Sequence, residues 1–153
     1  MDVAERVFGM LAGGWTLTRA IEPGLGTATG TASFAAAGPG RLLYREDVEL
    51  RLANGHGGEA YREYEYRLEG GRIRVLLADG TTMHLLDFSP AHPQPNPRPQ
   101  PHAAIWTAAD IHDCRADQYR GTYRLDERGV LTVDMKVDGP AKDYRIVTEY
   151  GRA

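Results

Sequence analysis

The chain has 153 residues, 42% hydrophobic and 25% charged, which suits one sizeable core and leaves too little for a second. Its net charge of −3 gives no electrostatic reason to expect nucleic acid or an anionic membrane as a partner. A single cysteine, Cys114, excludes an intrachain disulfide, and the acids Asp2 and Glu5 stand where a secretory leader would be basic; with no run long enough for a membrane span, the expected compartment is the cytoplasm.

Val3, Val7, Phe8 and Leu11 recur at helical spacing, so residues 2–11 read as one short amphipathic helix ended by Gly13-Gly14. Strand patterns follow. Trp15, Leu17, Arg19 and Ile21 share one face by period-two alternation. After a turn at Pro23–Gly26, Thr27–Phe34 forms a second strand whose small Gly30 and Ala32 predict a bend or close backbone approach. Arg41–Leu52 is the clearest strand. Leu42, Tyr44, Glu46, Val48, Leu50 and Leu52 line one face, and Arg45, Asp47, Glu49 and Arg51 the other. Beyond the loop Asn54–Gly58, a strand over 60–68 groups Tyr64, Tyr66 and Leu68. Ile73, Val75 and Leu77 form the next strand, Asp79-Gly80 is a tight-hairpin signal, and residues 82–88 place His84, Leu86 and Phe88 together.

The composition then breaks. Residues 90–101 hold six of the nine prolines, and the stretch 90–102 reads as a long exposed loop that cannot join a sheet interior. Strands resume over 104–113, over 117–125 (Asp117, Tyr119, Gly121, Tyr123 and Leu125 on one face), over Val130–Val137, and over Lys142–Tyr150 (Tyr144, Ile146, Thr148 and Tyr150 on one face). About ten short strands with one helix predict an antiparallel barrel or sandwich. The long first and last strands could pair and remove exposed edges, which favours the barrel.

The opening Phe8-Gly9-Met10-Leu11-Ala12-Gly13-Gly14-Trp15 resembles the Gly-x-Trp start of lipocalin-like (calycin) barrels, in which the Trp plugs one barrel end. The whole chain resembles an uncharacterised lipocalin-like family known only as a domain of unknown function. The residues that carry this likeness are Leu42–Glu46, His112–Cys114 with Asp117, Tyr119, Gly121 and Tyr123, and Gly139–Tyr144. The proline-rich insert departs from the pattern. The resemblance implies a lipocalin-like antiparallel β-barrel over residues 1–153 as a single domain, and it implies no activity.

A small barrel has an interior, so candidate chemistry is sought on inward faces. His112 and Cys114 lie two apart on one strand, and His84 could join them across the barrel as metal or haem ligands; the spacing matches no zinc motif, and no metal ligand or cofactor is assigned. Tyr44, Tyr64, Tyr66, Tyr119, Tyr123 and Tyr144 all fall on apolar faces, either as core packing or as hydroxyls that orient a ligand. Glu46 on an inward face needs a cation or donors: it reads first as a structural ion pair or a Glu near the barrel mouth, and otherwise as a polar pole with His84 or His112. Arg19 could be the cation that partners such a carboxylate or could instead cover Trp15 as a cation on an indole, and Lys142 at a barrel opening could attract an anionic head group or be solvated. The only serines, Ser33 and Ser89, lie in no nucleophile elbow, and no phosphate-binding loop is present.

The leading expectation is therefore the binding of a small, largely apolar or amphipathic molecule by Tyr44, Glu46, Tyr66, His84, His112, Tyr119 and Tyr123. No catalytic residue is assigned, and a homodimer stays open. The alternatives are a cavity enzyme (isomerase, cyclase or hydrolase) using His112 or His84 with Glu46, a haem- or metal-binding barrel, and an interaction module with a side-chain-filled core.

Overall fold

A computed structural model describes residues 1–91 and 102–153. Among the described residues, one helix, α1 (Val3–Leu11), precedes eleven strands: β1 (Gly13–Glu22), β2 (Gly26–Ala36), β3 (Arg41–Leu52), β4 (Gly57–Glu69), β5 (Arg72–Leu76), β6 (Thr82–Leu86), β7 (Ser89–Pro90), β8 (Ala104–Cys114), β9 (Asp117–Asp126), β10 (Leu131–Gly139) and β11 (Lys142–Arg152). All are antiparallel in one curled sheet of order β6-β5-β4-β3-β2-β1-β11-β10-β9-β8-β7. The strand count exceeds the expected ten because Ser89-Pro90 pairs with Thr107 and Trp106; Pro90 belongs to a sheet edge, where a residue without an N–H is tolerated. The remainder of the predicted proline-rich loop, residues 92–101, lies outside the described residues.

The first and last strands do pair, Trp15 against Arg152 through Glu22 against Arg145. The sheet's ends lie elsewhere. β6 and β7 are consecutive stretches of one chain run, the first bonded to β5 and the second to β8, so the barrel wall meets itself there. A side chain links β6 to β8 across the seam: the Leu85 N–H donates to Asp110 Oδ2 at 2.7 Å. The alternation expected for Ile73, Val75 and Leu77 fails at its last member, because a bulge between Val75 and Leu76 turns Leu76 inward and leaves Leu77 half-buried.

Helix α1 covers one end of the barrel. Asp2 caps it by accepting from the Glu5 N–H at 2.8 Å, and Ala4, Val7 and Leu11 are its buried face. Trp15 is buried beneath it and donates its indole N–H to the Leu11 carbonyl at 2.9 Å. The cation over the indole is Arg152, 3.8 Å from the ring centroid, and not Arg19, which the sequence left open for that place. Arg152 comes from the last strand, opposite Trp15 in register, and its guanidinium also donates to the Ala12 and Met10 carbonyls at the helix end. At the opposite end the β1–β2, β3–β4, β5–β6, β8–β9 and β10–β11 turns gather. Outward faces carry cross-strand ion pairs such as Arg45 with Glu63 and Arg145 with Asp134. Gly30 is required where β2 presses on β3, since a Cβ there would meet the Asp47 carbonyl oxygen at 2.0 Å.

Candidate functional site

The interior holds a buried polar pole about half-way along the barrel. Arg19 on β1 and Glu46 on β3 both face inward, separated by the small side chains of β2, and their side chains bridge that strand. The pair is bidentate, Nη1 to Oε2 at 2.7 Å and Nη2 to Oε1 at 2.8 Å. Arg19 Nε donates to Thr148 Oγ1 at 2.8 Å, its directly opposed residue on β11. Tyr44 donates to Glu46 Oε1 at 2.6 Å, which commits its proton; the 2.8 Å bond between Tyr44 and Tyr150 is therefore donated by Tyr150. Burial alone would raise the Glu46 carboxyl, but the Arg19 guanidinium, the Tyr44 hydroxyl and the more distant Arg62 reverse this and hold it below its ordinary range. Burial pushes the Tyr150 phenol up to about 12, with Arg19 opposing and Glu46 reinforcing.

A cavity of about 50 Å³ adjoins this pole on the side of the hairpin turns. Arg19, Glu46, Thr148 and Tyr150 form its polar wall, Tyr64, Tyr66 and Tyr123 its aromatic wall, and Met83, Val133, Met135 and Ile146 its apolar wall, with Arg62 at its exposed side. Arg62 lies directly opposite Glu46 in the β3–β4 register; its Nε is 3.6 Å from Glu46 Oε2, and Nη1 donates to the Tyr64 hydroxyl at 3.1 Å. Tyr66 is 5% exposed, packed edge-on against Phe34 at 5.0 Å between ring centroids. Every fully enclosed side-chain polar atom among the described residues has a partner. The Tyr66 hydroxyl, which opens onto the cavity, has no hydrogen-bond partner among the described residues.

The seven candidate residues fall into two groups. Glu46, Tyr66 and Tyr123 line the cavity, and Tyr44 stands behind Glu46. His84, His112 and Tyr119 lie toward the seam and the β8–β9 turn. Tyr123 joins the groups, its ring on the cavity and its hydroxyl 2.8 Å from His84 Nδ1. The other His84 nitrogen, Nε2, is 3.1 Å from the Tyr119 carbonyl. A carbonyl only accepts, so Nε2 carries the proton and Nδ1 accepts from Tyr123; the imidazole is neutral with both nitrogens committed. Burial lowers its pKa, the Tyr119 carbonyl and Asp110 oppose this, and His112 adds to it. Gly121 makes room for this ring, since a Cβ there would meet His84 Cε1 at 2.5 Å. His84 and Glu46 therefore do not form a shared pole; the carboxylate is locked by Arg19 and the imidazole by β9.

His112 is half-buried with its ring 6.1 Å from that of Tyr119, whose hydroxyl accepts from Lys142 Nζ at 3.1 Å. Lys142 also pairs with Asp117 at 3.0 Å. Cys114 is exposed, and among the described residues no group of three or more His, Cys, Asp and Glu stands close enough to hold a metal ion. Arg62, Thr148 and Tyr150 were not assigned from sequence. Alternation through Tyr64 and Tyr66 places Arg62 on the same face, and Tyr150 and Thr148 share the face of Tyr144 and Ile146, so a signal existed for all three.

Residues 11–152 match the family of unknown function DUF6314. The chain belongs to this family. No curated protein matches the chain. Solved structures with a similar fold are designed barrels. They include a redesigned β-barrel, mFAP1, bound to DFHBI (12% identity over 96% of this chain and 99% of that one, TM-score 0.46). A de novo designed fluorescence-activating β-barrel shows 13% identity over 100% and 99%, TM-score 0.47. A third, the redesigned barrel b11L5F_LGL, shows 12% identity over 100% and 99%, TM-score 0.48.

Proposed function

We propose that this member of the family is a lipocalin-like (calycin) barrel that binds a small, largely apolar molecule in its interior. The observation that carries the reading is the hydroxyl of Tyr66, a residue 5% exposed that lines the cavity, which has no hydrogen-bond partner among the described residues. Because that hydroxyl opens onto the cavity, a bound acceptor there would complete its hydrogen bonding. Tyr44, Glu46 and Tyr123 serve the same pocket, while His84, His112 and Tyr119 fix the wall beside it. As it stands, about 50 Å³ is well below the ~300 Å³ or more of pockets that enclose a drug-sized ligand. Met83 and Met135 are unbranched and re-pack readily, and a longer apolar body enters by displacing them. A reducing cytoplasm suits the single, exposed Cys114.

The small volume favours, as a second reading, a barrel filled by its own side chains and serving as an interaction module. The enzyme alternative draws less support, because both His84 nitrogens and both Glu46 oxygens are engaged within the protein. Native mass spectrometry of freshly purified protein, set against its denatured mass, separates the readings. A non-covalent adduct that is absent from a Met135→Trp variant of unchanged fold supports interior binding. A bare mass from both proteins supports the filled barrel.

A further inference from the structure

The hydrogen-bonding capacity around the cavity is unevenly used. The Glu46 carboxylate accepts from Arg19 through both oxygens and from Tyr44, and Tyr150 donates its proton to Tyr44. What remains toward the cavity includes several donors. The Tyr66 hydroxyl has no partner among the described residues. The Thr148 oxygen already accepts from Arg19, so its own proton is spare. Arg62 spends Nη1 on Tyr64 and approaches Glu46 only at 3.6 Å, leaving N–H groups for a ligand. Charge points the same way. Of the charged groups lining the cavity, two guanidiniums (Arg19 and Arg62) face one carboxylate (Glu46), a local excess of one positive charge.

A cation would meet the excess positive charge, whereas the Arg62 N–H groups and the hydroxyl protons are available to an acceptor. A group carrying acceptor oxygens and one negative charge satisfies both conditions. Resting on the interior-binding reading above, we infer that the ligand is a small organic acid: its carboxylate meets Arg62 and the Tyr66 hydroxyl, and its hydrocarbon body lies against Met83, Val133, Met135 and Ile146. Arg62 is then the residue that selects acid over alcohol. Its side chain is 45% exposed, so it is replaceable without opening the core.

The test uses three probes with the same tail, hexanoate, hexan-1-ol and hexylamine, titrated calorimetrically into the full chain at pH 7. Hexanoate is expected to bind at least about tenfold more tightly than hexan-1-ol, with hexylamine weakest. Arg62→Gln is expected to remove most of that preference and leave hexan-1-ol binding unchanged; Tyr66→Phe is expected to weaken hexanoate several-fold, with melting temperatures confirming that both variants fold. Equal affinity of the wild-type protein for hexanoate and hexan-1-ol overturns the acid inference while leaving interior binding intact. An acid preference that survives Arg62→Gln places the carboxylate elsewhere and also overturns it. Failure of all three probes to bind overturns the inference together with the reading on which it rests.

Discussion

Replacing Glu46 with Ala removes the carboxylate that Arg19 grips with two hydrogen bonds and strands a guanidinium whose residue is 7% exposed. It also leaves the Tyr44 hydroxyl without the acceptor it reaches at 2.6 Å. Breaking a buried pair from one side costs about 3–5 kcal/mol, far more than the pair contributes relative to a well-packed apolar substitute. Glu46→Ala is therefore expected to lose about 3–5 kcal/mol in urea denaturation, seen as a lower midpoint at unchanged slope. The reciprocal change, Arg19→Met, should cost less at low pH, because a carboxyl can escape its charge by taking up a proton. In the wild type the Glu46 pKa is held down, so its contribution is present above the ordinary carboxylate range and fades as pH falls through the depressed value. In Arg19→Met burial dominates and raises the carboxyl, so the deficit should grow as pH rises from 5 to 8. The double variant Arg19→Met, Glu46→Leu should recover most of the loss, giving a large coupling in a double-mutant cycle. If Glu46→Ala stays within about 1 kcal/mol of wild type, the description of this pole as a desolvated ion pair is wrong.

Other consequences follow from the seam and the covered end. Gly121→Ala puts a methyl group 2.5 Å from His84 Cε1 and should destabilise the protein by about 1–3 kcal/mol, partly rescued by His84→Ala in the same chain. His84 titrates below its ordinary value, so the unfolded chain binds more protons between that value and about 6.5; stability should be fully present above 6.5 and decline as pH falls, and His84→Leu should flatten that slope in pH-dependent melts. Arg152→Ala removes the cation over Trp15 and two donors to the end of α1, so a loss of about 0.5–1 kcal/mol is expected, with a shift in Trp15 fluorescence. A Trp15 signal unchanged by that variant would place the guanidinium elsewhere.

Alternation made the inward faces readable. Leu42, Tyr44, Glu46 and Val48 on β3, and Gly121, Tyr123 and Leu125 on β9, are buried as period-two spacing requires. The pairing of first and last strands was legible for the same reason, since both are long and regular. What alternation does not carry is level. Arg19 and Glu46 meet only because β2 lies between their strands in one register, and Arg62 faces Glu46 only through the β3–β4 pairing. Of the two readings of Glu46, the structural ion pair is the one found, with Arg19; His84 faces inward on a different part of the wall. The bulge at Val75 and Leu76 shifted a local pattern that spacing alone continued through Leu77.

The four methionines provide the most direct test of a ligand-accepting interior. Met83 and Met135 line the cavity, whereas Met1 is exposed and Met10 belongs to the helix at the covered end. With methyl-13C methionine, a spectrum recorded while hexan-1-ol is added should show the Met83 and Met135 resonances moving in a saturable way and Met1 and Met10 standing still. Saturable movement confined to Met1 and Met10, or no movement of any methyl group, would contradict the binding of a small apolar molecule inside this barrel.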